Sequence, residues 1–196
     1  TTDNPLCFDD ESIISGGNFH GQPVAIASDL LAIAVSELGA ISERRIDKLI
    51  DSKFSRLSPF LIKDSGLHSG FMIPHYMAAS LASENRLLAA PASVDSIPTS
   101  AGMEDHVSMG PIAARKARQI NKHVATILAV ELLTACQGID LLAPLKPSPL
   151  LQKIHKWVRT KVPFLEKDRS MQAEIEMISG DVLLGKLDQI LSPSVC

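Results

Sequence analysis

Apolar positions recur at helical spacing over three long stretches of the chain. From about Gln22 to about Leu49, Val24, Leu31, Val35 and Leu38 mark one face, and Ile26, Leu30, Ile33 and Ile41 broaden it, which predicts a long helix. Pro23 suits its first turn, where a missing N–H is no loss. The first half is apolar nearly all round and is expected to be buried on several sides. The second half turns polar at Ser42-Glu43-Arg44-Arg45 and then regains Ile46, Leu49 and Ile50. A second helix is predicted from about Phe71 to about Ala89, with Pro74 in its first turn. A third runs from Pro111 to about Asp140, again opened by proline.

Prolines between Leu141 and Pro149 break the pattern. A short helix follows at about 150–161, with Trp157 as its expected core anchor, and Pro163 ends it. A last helix is predicted over Met171–Leu191, with Ile175, Ile178, Leu183, Leu187 and Ile190 facing inward. Residues 1–21, 51–70 and 90–110 are irregular. Asp3-Asn4-Pro5 is turn chemistry, and Ser15–Gly21 and Ser65–Gly70 are glycine-rich loops. The fold class is therefore all-α, a bundle with long, apolar central helices. Helices this apolar predict association with other subunits.

Composition sharpens this. The chain has 196 residues, 45% hydrophobic but only 4% aromatic, which favours packed helices over a β-sandwich. A net charge of −3 leaves no basic field for nucleic acid. Cys7, Cys136 and Cys196 are scattered and odd in number, which suits a reducing cytosol rather than a disulfide framework. No uninterrupted apolar run looks long enough to cross a bilayer; the helix at 124–135 reads as buried. The chain opens on Thr1-Thr2-Asp3-Asn4-Pro5 without methionine, as if inside a longer gene product.

Chemistry concentrates in the loops. Asp3-Asn4, Asn18-Phe19-His20, His68 with His75, and Glu104-Asp105-His106 all precede helices, and loops at one end of a bundle can converge on one pocket. Glu104 in an apolar pocket is a usable proton acceptor near neutral pH. Equally, Glu104 and Asp105 can stabilise the start of the third helix or pair with Arg115, Lys116 and Arg118, cations that oppose its dipole. Phe19 can pack on a planar ligand or simply serve as a core aromatic. His75 can touch a ligand or be an ordinary solvated histidine. The histidines share no ligand spacing, so no metal site is expected. Cys136, in an apolar helix, reads as packing. Gly16-Gly17 is no phosphate loop.

Ser93-Val-Asp-Ser-Ile-Pro-Thr-Ser-Ala-Gly followed by Glu104-Asp-His-Val-Ser-Met-Gly-Pro resembles the signature of the aromatic amino acid ammonia-lyase family, in its histidine ammonia-lyase branch. Further motifs match in order: Thr2-Asp-Asn-Pro-Leu, Ser15-Gly-Gly-Asn-Phe-His-Gly-Gln-Pro-Val, Gly39-Ala-Ile-Ser-Glu-Arg-Arg, Ser69-Gly-Phe-Met-Ile-Pro, Leu81-Ala-Ser-Glu-Asn, Pro111-Ile-Ala-Ala-Arg-Lys and Pro144-Leu-Lys-Pro-Ser-Pro. The resemblance implies a long-helix bundle of the ammonia-lyase (fumarase/aspartase-like) type, assembled as a cytoplasmic homotetramer with sites built from several subunits. It implies non-oxidative deamination of L-histidine to urocanate and ammonia in histidine catabolism. The family's cofactor is 4-methylidene-imidazol-5-one (MIO), made from an Ala-Ser-Gly tripeptide.

On that resemblance, residues 1–196 are the C-terminal helical portion of such an enzyme: opening loops 1–21, central long helices 22–140 and C-terminal helices 141–196. Glu104 matches the catalytic acid that contacts the substrate's imidazole or amino group, and Phe19 the aromatic beside substrate and cofactor. His75 is a third substrate-binding candidate, standing where the family pattern has glutamine. An acid at 104 favours histidine over phenylalanine or tyrosine. The chain holds no Ala-Ser-Gly: Ala27-Ser28-Asp29 and Thr99-Ser100-Ala101-Gly102 are not it. The chain alone is therefore expected to bind no cofactor of its own and to be inactive, needing the N-terminal part of the enzyme. The alternatives are a non-catalytic assembly module and a fragment of a phenylalanine or tyrosine ammonia-lyase or aminomutase.

Overall fold

In the computed structural model, which describes residues 3–191, a two-residue antiparallel hairpin, β1 (Leu6–Cys7) with β2 (Ile13–Ile14), precedes α1 (Gln22–Ile50) and α2 (Ser52–Ser55). A 3-10 turn at Pro59–Leu61 leads to α3 (Met72–Leu88). Then come α4 (Gly110–Leu141), α5 (Pro149–Arg159), α6 (Gln172–Leu183) and α7 (Lys186–Leu191). Thr1, Thr2 and Cys196 lie outside the described residues. Pro23 and Pro111 open α1 and α4 as the sequence predicts. The predicted last helix is two, because Gly185 takes φ 65° and turns the chain between them.

α1 and α4 lie side by side and parallel. A Cβ built on Gly110 would lie 4.0 Å from Ala25, and one on Gly138 would lie 3.5 Å from Leu49 at the opposite end. α3 runs antiparallel to both, placing Asn85 against His123 of α4 and His75 against Glu43 of α1. Close approach at the centre depends on Gly39, where an added Cβ would meet Val124 at 2.9 Å.

The main core sits where α1 and α4 finish. Ile46, Ile50, Leu61, Ile62, Phe71, Ile127, Leu133, Val158, Leu165 and Ile178 pack there. Gln137, buried among them, donates to the Leu61 and Leu165 carbonyls (3.0 and 2.9 Å) and accepts from the Leu165 N–H (3.1 Å). This satisfies three backbone groups that two separate segments bring inside. The anchor of α5 is Val158 rather than Trp157. Trp157 is half-buried, with the Lys161 ammonium 4.3 Å from its ring.

The expectation that the first half of α1 is buried on several sides does not hold within this chain. Its buried residues are Ala25, Asp29 and Ala32, while Val24, Ile26, Leu30, Leu31 and Ile33 are exposed, Leu30 by 66%. Small side chains let α4 approach closely, and the large apolar ones point away from the bundle. By length and composition both α1 and α4 are apolar enough to cross a membrane, contrary to the sequence expectation. Polar groups of the two helices nonetheless pair across their contact: the buried Ser42 donates to Glu131 at 2.5 Å, and the exposed Arg45 also bonds Glu131.

Candidate functional site

Three of the four polar loop clusters meet where α1 and α4 begin. Asn4 accepts hydrogen bonds from the Ser15 hydroxyl (3.0 Å) and the Gly16 N–H (2.9 Å), which ties the first cluster to the glycine-rich loop. That loop folds back through a His20 N–H bond to the Gly17 carbonyl (3.1 Å). Gly21 then takes φ 79° and turns the chain into α1. His20 Nε2 lies 2.8 Å from the carbonyl oxygen of His106. The two imidazoles stack with ring centroids 5.3 Å apart and planes 2° from parallel.

Residues 89–109 form the facing loop, and its first root is held by the long helices. The Asp29 carboxylate accepts the Ala92 and Ser93 N–H groups (2.9 and 2.7 Å), Gln22 donates to the Ser93 carbonyl (3.2 Å), and Lys116 donates to the Ala90 carbonyl. Burial opposes the charge of Asp29. The Ser93 N–H and hydroxyl, the Ala92 N–H and Lys116 outweigh that opposition, so its carboxyl titrates below the usual value. Further on, Thr99 and Glu104 pair through their backbones (2.9 and 3.2 Å) around a tight turn with Ser100 and Ala101 at φ 53° and 55°. Two consecutive non-glycine residues in that region carry backbone strain.

Glu104 is exposed at this turn, and Phe19 is 43% exposed in the loop before α1. Neither is a core residue of this chain. Neither Glu104 nor Asp105 forms an ion pair with Arg115, Lys116 or Arg118 among the described residues, so the predicted pairing is corrected: Arg115 and Arg118 face solvent, and Lys116 goes to a backbone carbonyl.

The fourth cluster does not join the others. His75 bonds the buried Glu43 carboxylate at 2.9 Å, and from Gln22 to Glu43 α1 climbs roughly 30 Å at 1.5 Å per residue. His68 lies 4.0 Å from Asp168 on that far side as well. Burial pushes against the charge on Glu43, but Arg44 and then His75 hold its carboxyl below the ordinary range. His75 therefore does not share a pocket with Phe19 and Glu104 of the same chain. Burial pushes the Cys136 thiol up to about 11, which fits packing rather than reactivity.

Sequence reasoning did not single out Asp29 or Glu43. For Asp29 the available signal was an acid among alanines and leucines in the apolar half of the helix, where an unpaired charge is costly; Glu43, in a polar run, had none. Two large hollows lie elsewhere, one of about 940 Å³ between α3, α4 and α6 and one of about 790 Å³ along α1 and α4.

The chain matches the family described as aromatic amino acid lyase over residues 1–160. It is 55% identical over 188 residues to a histidine ammonia-lyase of Anaeromyxobacter sp. (strain K), covering 95% of this chain and 37% of that relative. It superposes on the crystal structure of histidine ammonia-lyase from Trypanosoma cruzi with a TM-score of 0.94 at 50% identity, covering 100% of this chain and 39% of the other. A tyrosine aminomutase from Streptomyces globisporus follows at a TM-score of 0.92 and 40% identity, over 97% of this chain and 37% of the other. The chain thus spans between a third and two fifths of the length of these relatives.

Proposed function

Because the chain belongs to the aromatic amino acid lyase family, we propose that the full-length protein removes ammonia from L-histidine to give urocanate, and that this chain is its C-terminal helical portion. The observation that supports the reading is that the Glu104-Asp-His-Val-Ser-Met-Gly loop is joined at His106 to His20, the residue after Phe19, at the end where α1 and α4 begin. Glu104 accepts a hydrogen bond from the substrate's imidazole or amino group, and Phe19 supplies a flat apolar wall. A site that hydrogen-bonds an imidazole rejects a phenyl ring, because its polar group is then left unpaired. His75, paired with Glu43 on the far side, is not needed in this pocket.

The family's prosthetic group, 4-methylidene-imidazol-5-one, would supply an electrophile from a segment outside this chain. The residues here fit beside such a planar group: Phe19 is open on one face, and a Cβ built on Gly17 meets nothing within 4 Å. Ala27-Ser28-Asp29 cannot supply it, since Asp29 already holds the loop root. The exposed apolar face of α1 supports association with other subunits that cover it, which we read as a homotetramer; its relatives are metabolic enzymes, and we place the protein in the cytoplasm.

The test is urocanate formation by the full-length protein, followed by its ultraviolet absorbance, with tyrosine and phenylalanine as competing substrates. Glu104→Gln lowers kcat/KM for histidine by about 100-fold or more. The isolated 196-residue chain gives no turnover; clear turnover by it alone overturns the composite-site reading.

A further inference from the structure

Among the described residues, residues 98–106 are tied to the rest of the molecule by one side-chain hydrogen bond, His20 Nε2 to the His106 carbonyl. The bonds of Thr99, Gly102, Met103 and Glu104 stay within the turn, and Val107 bonds Ser96 of the same loop. The first root is fixed separately by Asp29, Gln22 and Lys116. His20 directly follows Phe19, and His106 is two residues after Glu104. The shortest hydrogen-bonded path between the two proposed pocket residues is therefore Phe19–His20, across the 2.8 Å bond, to His106–Asp105–Glu104; the second root is held further on, where Met109 packs on the cluster of Ala25, Ala92 and Ala113.

We infer that His20 is a positioning residue, which sets the Glu104 carboxylate in register with Phe19 and the substrate. The inference rests on the reading of Phe19 and Glu104 as pocket residues. The geometry suits the task on both sides of the ring. Nε2 faces a carbonyl, so it carries the proton and donates. The ring face lies flat on the His106 imidazole, which fixes rotation about the bond as well as its length. The His20 backbone is itself preset by its N–H bond to the Gly17 carbonyl and by the left-handed Gly21 that follows. A loop whose tip is strained and exposed is otherwise free to drift, and a displacement of about 1 Å at a reacting centre can cost about 100-fold in rate.

Two variants of the full-length enzyme separate the halves of the link. His20→Phe keeps the stack and loses the donor; His20→Gln keeps a donor near Nε2 and loses the stack. His20→Phe lowers kcat/KM for histidine about 10- to 100-fold, and His20→Gln recovers most of that. The discriminating measurement is a double-mutant cycle with Glu104→Gln. If His20 acts by placing Glu104, His20→Phe changes kcat/KM by less than about twofold in the Glu104→Gln background. A His20 effect that is absent in the wild-type background, or that persists at full size without Glu104, overturns the inference while leaving the site reading intact. A Glu104→Gln enzyme of undiminished activity overturns the site reading and this inference with it. His20 is only half-buried, and unchanged thermal melts confirm that the variants are folded. If His20→Phe fails to fold, the same cycle run with His20→Gln decides: a partial loss that vanishes without Glu104 supports the link, and an additive one overturns it.

Discussion

Where α1 and α4 begin, Ala25 and Ala113 of the helices and Ala92 of the facing loop pack together, with Ala32 and Ala117 a turn or two deeper. Where they finish, the contact is made by Ile46, Ile50, Phe71, Ile127 and Leu133, closed over by α5 and α6. The large side chains of the first region exist, but Val24, Ile26, Leu30 and Leu31 face outward. The second region is a core that this chain completes by itself. The first is a seam of small residues carrying an unfinished apolar surface, and it is there that Phe19, His20 and Glu104 assemble. The candidate site belongs to the part of the fold whose large apolar side chains this chain leaves exposed, which is the arrangement the proposed composite site requires.

The sharpest way to break the contrast is in the completed core. Gly70 takes φ 53°, and a Cβ there would lie 2.5 Å from the Phe60 carbonyl oxygen and 2.9 Å from Ile62. Gly70→Ala combines backbone strain with a clash against rigid backbone and costs about 3–5 kcal/mol, read as a lowered urea midpoint. A matched pair tests the asymmetry directly. Ile127→Ala, in the core, costs about 3 kcal/mol, whereas Leu30→Ala on the exposed face of α1 changes the stability of the chain by less than about 0.5 kcal/mol. Leu30→Ala instead weakens assembly of the full-length protein in sedimentation. Equal losses of stability in the two variants would erase the distinction between the regions.

The smallest effect is one of pH, and both regions share it. Asp29 in the first and Asp168 in the second each accept two consecutive backbone N–H groups, of Ala92 and Ser93 and of Ser69 and Gly70. Both carboxyls titrate below the ordinary value of 3.8 in the folded chain. A lowered folded pKa contributes stability that is present above the unfolded value and lost as pH falls through the folded one. Stability is therefore flat from neutrality to about pH 5 on this account and declines below about pH 4. Asp29→Asn and Asp168→Asn each flatten that decline, and a slope unchanged in both variants would remove these carboxylates from the explanation.

Much of the fold was legible in the sequence. Prolines at 23 and 111 and the apolar spacing place α1, α3 and α4 within a residue or two of their observed bounds. Which side of α1 lies inside was not legible. Periodicity finds an apolar stripe, and here the stripe of largest residues is turned outward while alanine and glycine make the internal contact. Phe19 and Glu104 were legible as motif members, and the meeting of their loops was expected from the position of each before a helix. His75 was drawn to the same pocket by its loop-proximal position. The antiparallel course of α3 sends it to the other side instead, a matter of topology that no local pattern encodes. His20 was visible as a residue next to Phe19, but its bond to the His106 carbonyl spans 86 positions and has no sequence signal.

The parallel pairing of α1 with α4 also sets a timetable for synthesis. Gly110 follows Ile50, the last residue of α1, by 60 residues, so a ribosome adding about 5–20 residues per second finishes α1 roughly 3–12 s before the start of its partner appears. Throughout that interval the helix has neither its alanine seam nor its outward leucines covered, and only the α3 segment is made in time to shield part of it. The nascent protein is thus most exposed to aggregation before α4 emerges, and faster translation between residues 51 and 110 shortens that window.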